Sequence, residues 1–455
     1  MSIESISVVD GRYLRDVGNL SEYASEKALI RYRVQVEIEW FLHLHQSCPE
    51  IAKEPLPPSL VDTFRQIYRS FNGEDAKRVV ELERQTNHDV KAVEYFVREK
   101  LSASNHPLNL ELVHFCCTSE DINNLAYALM LVQIRDDLLT PAMSKVERQL
   151  QEMSIQYAGV AMLAHTHGQT ASPTTMGKEL AIFQHRLSQW YWELAHTEIY
   201  GKFNGAVGNY NAHVVASPTT DWPAVTGQFI RGLGLKPNIL TTQIEPHDCI
   251  ARYCNALSGY NQVILDLCRD IWTYISMAFF KLKVVKGEVG SSTMPHKVNP
   301  IDFENAEGNV GIANSLLTHL AQKLPVSRLQ RDLSDSTVQR NLGSALGYCL
   351  TVYSRTLRGL KKLEIDENRL SESLFNSWEV LAEAIQTVMR KEGIADAYEQ
   401  IKSVTRGQAL DQDMYRQIIH ELPLSREGRE VLLSLTPATY IGLARHLTLR
   451  NIISE

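Results

Sequence analysis

Between Glu245 and Val285, the apolar residues Ile250, Tyr253, Leu257, Tyr260, Ile264, Leu267, Ile271, Tyr274 and Ala278 return at alternating steps of three and four. This seven-residue repeat lays one stripe of side chains along a helix of about 60 Å. No small domain can cover such a stripe, so the chain is constrained to a bundle of long helices. One large monomeric bundle would satisfy it. The nearly unbroken apolar run from Ile271 to Phe280 points instead to more than one buried face, and so to helices shared between subunits.

The rest of the pattern is also helical. Leu29, Tyr32, Val36, Trp40 and Leu44 step by three or four between Glu22 and Gln46, and Ser47-Cys48-Pro49 ends that run. Residues Pro141 to Ala164 and Met176 to Tyr200 read as further long helices. Strand signals are sparse, and the Gly- and Asn-rich stretch from Gly205 to Val215 reads as a loop or hairpin. Neither GxGxxG nor GxxxxGKS/T occurs, which argues against a doubly wound nucleotide-cofactor fold. The expected class is therefore all-α. A length of 455 residues suggests about three domains. Boundaries near Asn105 to Leu110 and Leu363 to Asp366 give 1–110, 111–364 and 365–455. Beyond Leu374, helices are expected with breaks near Leu422-Pro423-Leu424 and Thr436-Pro437.

Composition removes several function classes. The formal charge is −7 and no region is strongly basic, so nucleic acid is disfavoured as a partner. An anionic small molecule would need a local cluster of Arg and Lys. Seven cysteines show no disulfide or metal-knuckle spacing, and Cys249, Cys254 and Cys268 fall on one expected helix, so buried reduced thiols are expected. No run of 18 apolar residues occurs, and Met1 to Asp10 does not read as a signal peptide. The expected setting is cytoplasmic, with no membrane contact.

Five constellations can carry chemistry. Gly290 to Pro300, reading GSSTMPHKVNP, packs hydroxyls, Lys297 and Asn299 into a loop that two prolines keep irregular. Such donors can hold a carboxylate or a developing negative charge, whereas a Ser-rich loop is more often a plain linker. His165-Thr166-His167-Gly168-Gln169-Thr170 offers two imidazoles. With no third ligand motif such as HExxH, a general acid is the better reading than a metal half-site. Thr118-Ser119-Glu120-Asp121 fits a helix capping box whose free N–H groups also favour an anion. Thr86-Asn87-His88-Asp89 could be only a helix start. Arg328 to Arg340, with Arg331, Ser336, Thr337 and Arg340, is either a solvated basic face or a phosphate grip.

Taken together, GSSTMPHKVNP, TNHDVKAVEYF, CTSEDINNLAYALML, THGQ, GAVGNYNAH, TTQIEPHD and SRLQRDLSDSTVQRNLG resemble the fumarase/aspartase superfamily along the whole chain. The TSED and NHD elements resemble its adenylosuccinate lyase family. That resemblance implies a nearly all-helical, three-domain fold and a homotetramer built on long helices, with each active site assembled from three subunits. It implies purine nucleotide substrates, from which fumarate is eliminated, and neither cofactor nor metal.

Residue by residue, the resemblance makes Ser291 the general base and His167 the general acid, with Glu304 orienting the histidine. Ser292, Lys297 and Asn299, with Val298 beside them, would hold the succinyl carboxylates, helped by Thr118 and Ser119. Arg12, Tyr13, Arg331, Ser336, Thr337 and Arg340 would hold the phosphate and ribose. Asn87, His88, Asp89 and Gln243 would line the site, and Asn305 would support the loop. His165 stands where relatives often carry Arg, and Thr170 where they often carry Pro. Two alternatives are another lyase of the superfamily, such as one acting on argininosuccinate, and a silent helical scaffold. The scaffold would be expected to have lost Ser291, His167 or Lys297, and all three are present.

Overall fold

A computed structural model describes residues 3–104, 106–284, 287, 293–294, 296–405 and 410–453. Helices dominate these residues, joined by three two-stranded sheets. The chain forms two compact units. One comprises Met1–Met143, Trp190–Asn261 and Gly308–Ser354; the other comprises Ser144–Gln189, Gln262–Glu307 and Arg355–Glu455. No helix among the described residues is long and apolar enough to cross a membrane.

The first unit is organised by the Glu26–Ser47 helix, which packs against Ser119–Ile134, Asp89–Ser102 and Pro58–Arg69. Its start is fixed by Ser25, whose hydroxyl accepts from the Ala28 N–H at 3.2 Å. The expected stripe of Leu29, Tyr32, Val36, Trp40 and Leu44 is buried. Trp40 packs at a tilt against Phe203, with ring centroids 4.4 Å apart, and against Phe229 at 5.2 Å, and its indole N–H donates to the Phe115 carbonyl. The Ser119–Ile134 helix is buried almost all round, as a run reading INNLAYALML requires of a core helix.

The long stripe is a helix, but a shorter one than its repeat predicts. It runs Asp248–Ser276, about 43 Å at the usual rise. From Ile250 to Ile271 the stripe is buried, whereas Tyr274 is half-buried and Ala278 exposed. Ala278 takes a left-handed φ of 60°, and the Phe279 N–H reaches back to the Tyr274 carbonyl at 2.9 Å, a Schellman-type stop made without glycine. Beyond it Phe280–Leu282 becomes a strand paired with Leu363–Ile365. Phe280, Leu282 and Val284 alternate with Lys281 and Lys283, and this period of two overrides the helical spacing there.

Three further expectations need correction. The Pro141–Ala164 run is helical only within Thr140–Gln156; Ala161–Thr166 then forms a strand antiparallel to Gln169–Thr175. The helix from Met176 stops at Ala195, and Tyr200–Gly201 pairs with Lys236–Pro237. Gly205 to Val215 is a turn followed by the short helix Asn211–Ala216, because the backbone here is anchored by buried side chains instead of a strand partner. The C-terminal helices surround Leu381, Ile385, Met389, Tyr415, Ile419 and Leu432, and breaks fall at both expected places.

Buried ionisable groups follow their surroundings. All seven cysteines are free thiols, and burial pushes Cys254 and Cys268 up to about 12. His213 is fully buried against Tyr210 and Trp222, neither ring nitrogen has a hydrogen-bond partner among the described residues, and burial lowers its pKa from 6.5 to about 4. Below pH ~6.5 the unfolded chain takes up a proton that the folded chain refuses. Stability is thus complete above that pH and is lost as pH falls towards 4, by about 2.5 kcal/mol at pH ~4.5. Urea unfolding at pH 7 and 4.5 measures the loss. It should shrink by that amount in His213→Leu, and equal losses in the two proteins would remove the histidine from the account.

Candidate functional site

In the first unit a pocket of about 360 Å³ is lined by Arg33, His88, Asp89, Ser119, Asn123, Tyr127, Arg331, Leu333, Ser336, Thr337 and Arg340. Residues expected from three distant stretches of sequence, 88–89, 119 and 331–340, therefore meet around one cavity. The Asp89–Ser102 helix begins here because Asn87 turns left-handed, at φ 51°, and His88 caps it, its Nδ1 accepting from the Lys91 N–H at 3.2 Å. That bond puts the imidazole proton on Nε2, which lies 3.5 Å from the Ser119 hydroxyl.

Asp89 is tied on both sides. One carboxylate oxygen accepts from Arg33 at 2.8 Å and lies 3.5 Å from Arg340, while the other accepts from the Val90 N–H. Burial alone would raise the Asp89 carboxyl, but Arg33, the Val90 N–H and Arg340 outweigh it and hold it below the usual range. Arg33 is only 3% exposed and also donates to the Asn123 side chain at 2.8 Å. Burial pushes the Tyr127 phenol up to about 12, so at neutral pH it faces the pocket as a hydroxyl. Arg33, Asn123 and Tyr127 were missed in the sequence. For Arg33 there was one signal, a cation whose neighbours three and four residues away on the helix face include the apolar Leu29, Ile30 and Val36.

The Ser119–Ile134 helix opens on Thr118, whose N–H donates to the Asp121 carboxylate at 2.8 Å, the return arm of the expected capping box. The other oxygen of Asp121 accepts from the Asn204 and Gly205 N–H groups and lies 2.7 Å from the Lys202 ammonium. Gly208 then passes so close to the 241–242 backbone that a Cβ there would fall 2.1 Å from the Thr241 carbonyl oxygen, at a left-handed φ of 79°. This close passage sets Gln243, whose amide donates to the Ala206 carbonyl at 2.8 Å and accepts from Arg331 at 3.1 Å. Arg331 is no solvated basic residue: Gln243, Ser336 and Glu120 all surround its guanidinium. Arg12 is exposed and Tyr13 half-buried at the start of the Leu14–Val17 turn, and neither lines the pocket.

The second unit carries the other expected group. Thr166 pairs with Gln169 across a two-residue turn in which His167, φ 54°, and Gly168, φ 72°, are both left-handed. Positive φ at both positions is the geometry that suits a tight hairpin, and it puts the His167 imidazole at an exposed tip. His165 packs near Phe279, with ring centroids 6.3 Å apart. Glu304, one turn into the Ile301–Lys323 helix, accepts from the Trp272 indole at 3.3 Å. No bond between Glu304 and His167 is present among the described residues. The start of that helix is anchored by buried Asp302, which Arg358 meets at 2.8 Å, Lys362 at 3.2 Å and Arg355 at 3.5 Å. Lys297 and Val298 are exposed, and Asn299 and Asn305 half-buried. Ser291 and Ser292 lie outside the described residues.

In the first unit, three guanidiniums, four hydroxyls and a helix N-terminus suit a phosphorylated or carboxylated ligand. In the second, an exposed imidazole can transfer a proton. Among the described residues no group of three His, Cys, Asp or Glu side chains could hold a metal ion.

Comparison with known proteins follows the same lines. Residues 11–313 match a family model described as lyase, and residues 327–441 match one described as adenylosuccinate lyase C-terminal. The chain is 48% identical to the adenylosuccinate lyase of Haemophilus influenzae, over 98% of both chains. It is 49% identical to that of Vibrio cholerae over 98% of both, and 48% identical to that of Escherichia coli K12 over 97% of both. Among solved structures, it is similar to fumarate lyase from Mesorhizobium sp. BNC1, with a TM-score of 0.74 at 17% identity, covering 96% of this chain and 98% of the other. It is also similar to the 3-carboxy-cis,cis-muconate lactonizing enzyme of Pseudomonas putida, with a TM-score of 0.72 at 20% identity, covering 97% and 98%. These two likenesses concern the fold alone.

Proposed function

The chain belongs to the adenylosuccinate lyase family, and from that membership we infer its reaction, a β-elimination that releases fumarate from adenylosuccinate to leave AMP and from SAICAR to leave AICAR. The observation that carries this reading is identity of nearly one half along almost the entire length of curated relatives bearing that name.

In chemical terms, a base removes a proton from the succinyl Cβ and the electron pair becomes the new C=C bond. The C–N bond breaks as that double bond forms, its electron pair leaving with nitrogen, and an acid protonates the departing amine nitrogen. We assign Ser291 as the base and His167 as the acid, with Glu304 orienting the histidine. The carbanion delocalises into the neighbouring carboxylate as a doubly charged species, so fixed cations and N–H donors must meet it. Ser292, Lys297 and Asn299 would supply them, with Thr118 and Ser119. Asn305 would support the loop, and Val298 lies beside it. A serine hydroxyl is a weak base until positive surroundings and exclusion of water lower its pKa, so loop closure belongs to the cycle. The phosphate and ribose fall to Arg12, Tyr13, Arg331, Ser336, Thr337 and Arg340, and the base end to Asn87, His88, Asp89 and Gln243. The grouping of His88, Asp89, Ser119, Arg331, Ser336, Thr337 and Arg340 round one cavity supports this division. The chemistry needs no metal or organic cofactor, since an acid, a base and preorganised charge suffice.

We further propose a homotetramer whose sites draw on three subunits. Trp192, Trp272 and Ile312 stand 56%, 48% and 50% exposed on long helices, and apolar side chains of that size call for a covering partner. Free thiols suit a cytoplasmic setting. Fumarate release from adenylosuccinate, assayed with and without a chelator, tests the reaction. Turnover that the chelator leaves intact is the expected result, and no release from a folded protein would overturn the assignment.

A further inference from the structure

Glu120 follows Ser119 in the first turn of the Ser119–Ile134 helix and is 1% exposed. Its Oε2 lies 3.1 Å from Nη2 of Arg331, an ion pair that lacks the alignment of a hydrogen bond, so Oε2 has no hydrogen-bond donor among the described residues. The same guanidinium donates to Gln243 and to Ser336, both at 3.1 Å, while its Nε is buried without an acceptor. Behind the pair lie more buried ionisable groups. Asp335 and His247 are 2% and 1% exposed, with 3.7 Å between Oδ2 and Nε2, and Lys202 and Tyr127 also act on the Glu120 charge or feel it. In front of Arg331 lies the pocket.

A guanidinium this enclosed is costly without a counter-anion, and Glu120 is the carboxylate in contact with it. We propose that Glu120 is the internal counter-anion of Arg331, holding it in place in the empty pocket and opposing the phosphate that binds there, so that it limits nucleotide affinity and favours product release. This rests on the reading of Arg331 as a phosphate residue. A phosphate reaching Arg331 brings negative charge next to a carboxylate that cannot move into water. Burial already pushes the Glu120 carboxyl up in spite of Arg331, so this anion is poorly accommodated even before ligand arrives. Glu120 is thus a positioning residue: it touches the residue that grips the ligand, and it acts on binding instead of on the elimination.

The test is AMP affinity, measured by calorimetry on the intact enzyme with melting temperature as the check on folding. Glu120→Gln keeps the shape and an acceptor oxygen but removes the charge, and it should tighten AMP binding roughly tenfold. Glu120→Asp, which keeps the charge, should stay close to wild type. Arg331→Gln should weaken binding, and adding Glu120→Gln to it should change nothing further, because the pair acts through one guanidinium. Unchanged or weaker AMP binding in a folded Glu120→Gln protein overturns the proposal. If Arg331→Gln binds AMP as well as wild type, the phosphate assignment of Arg331 fails instead, and the proposal with it.

Discussion

His167→Ala lowers kcat for fumarate release by about 10³-fold, within the range of roughly 10²–10⁴ that a positioned general acid contributes, and leaves substrate affinity nearly unchanged. The imidazole stands at the tip of a hairpin whose turn is set by two left-handed residues, His167 and Gly168. Alanine at position 167 removes the proton donor and leaves the strand pairing on either side in place. His165 is the internal control, since it belongs to the strand and packs by Phe279. His165→Ala should retain most activity, and the reverse ranking of the two variants would transfer the role of acid to His165. Ser291→Ala should be as inactive as His167→Ala. If the two groups reach one site from different subunits, mixing the two inactive proteins under exchange conditions restores measurable turnover. Substantial activity in either single variant, or no recovery from a mixture proven to have exchanged subunits, contradicts the arrangement.

How much was legible depended on whether a local rule or a distant contact decided the outcome. The stripe from Ile250 to Ile271 was plain because a buried helix face must repeat every three to four residues. Its end was not, since Tyr274 and Ala278 keep the spacing while Phe280-Lys281-Leu282 obey the strand period, and the choice falls to pairing with Leu363–Ile365, some eighty residues on. The Ala161–Thr175 hairpin was hidden for a similar reason. Its strands hold Ala, Met, Leu and Thr in no clean alternation, and the His167-Gly168 turn lacks the usual Asn or Asp before Gly. On the site side, caps and charged clusters showed themselves locally, so His88, Ser119 and Arg331 were found. Arg33, Asn123 and Tyr127 look like ordinary helix residues in sequence, and only the packing of Glu26–Ser47 on Ser119–Ile134 turns them towards one cavity.

Asp121→Asn is expected to destabilise the protein by about 3–5 kcal/mol, the usual cost of leaving one partner of a buried ion pair uncompensated. Both charges of the Asp121–Lys202 pair are 0% exposed, with 2.7 Å between them. Asparagine can still accept from the Asn204 and Gly205 N–H groups through Oδ1, but among the described residues the buried Lys202 ammonium then faces only neutral oxygens, that amide and the Gly205 carbonyl 3.0 Å away. Asp121→Asn with Lys202→Met should therefore be more stable than Asp121→Asn alone, because the orphaned cation is gone. Urea unfolding of the three proteins measures this order, and a single-variant loss under about 1 kcal/mol, the scale of an exposed ion pair, would show that the pair is not a structural hub. The consequence for function follows from what the carboxylate holds. Its second oxygen fixes the Thr118 N–H, and its first fixes the turn that leads to Ala206, which in turn holds Gln243 and so Arg331. The single variant should accordingly lose affinity for the whole substrate, at the carboxylate end through Thr118 and Ser119 and at the phosphate end through Arg331. A fold defect remote from the site would lower the amount of active enzyme and leave the KM of the remainder unchanged.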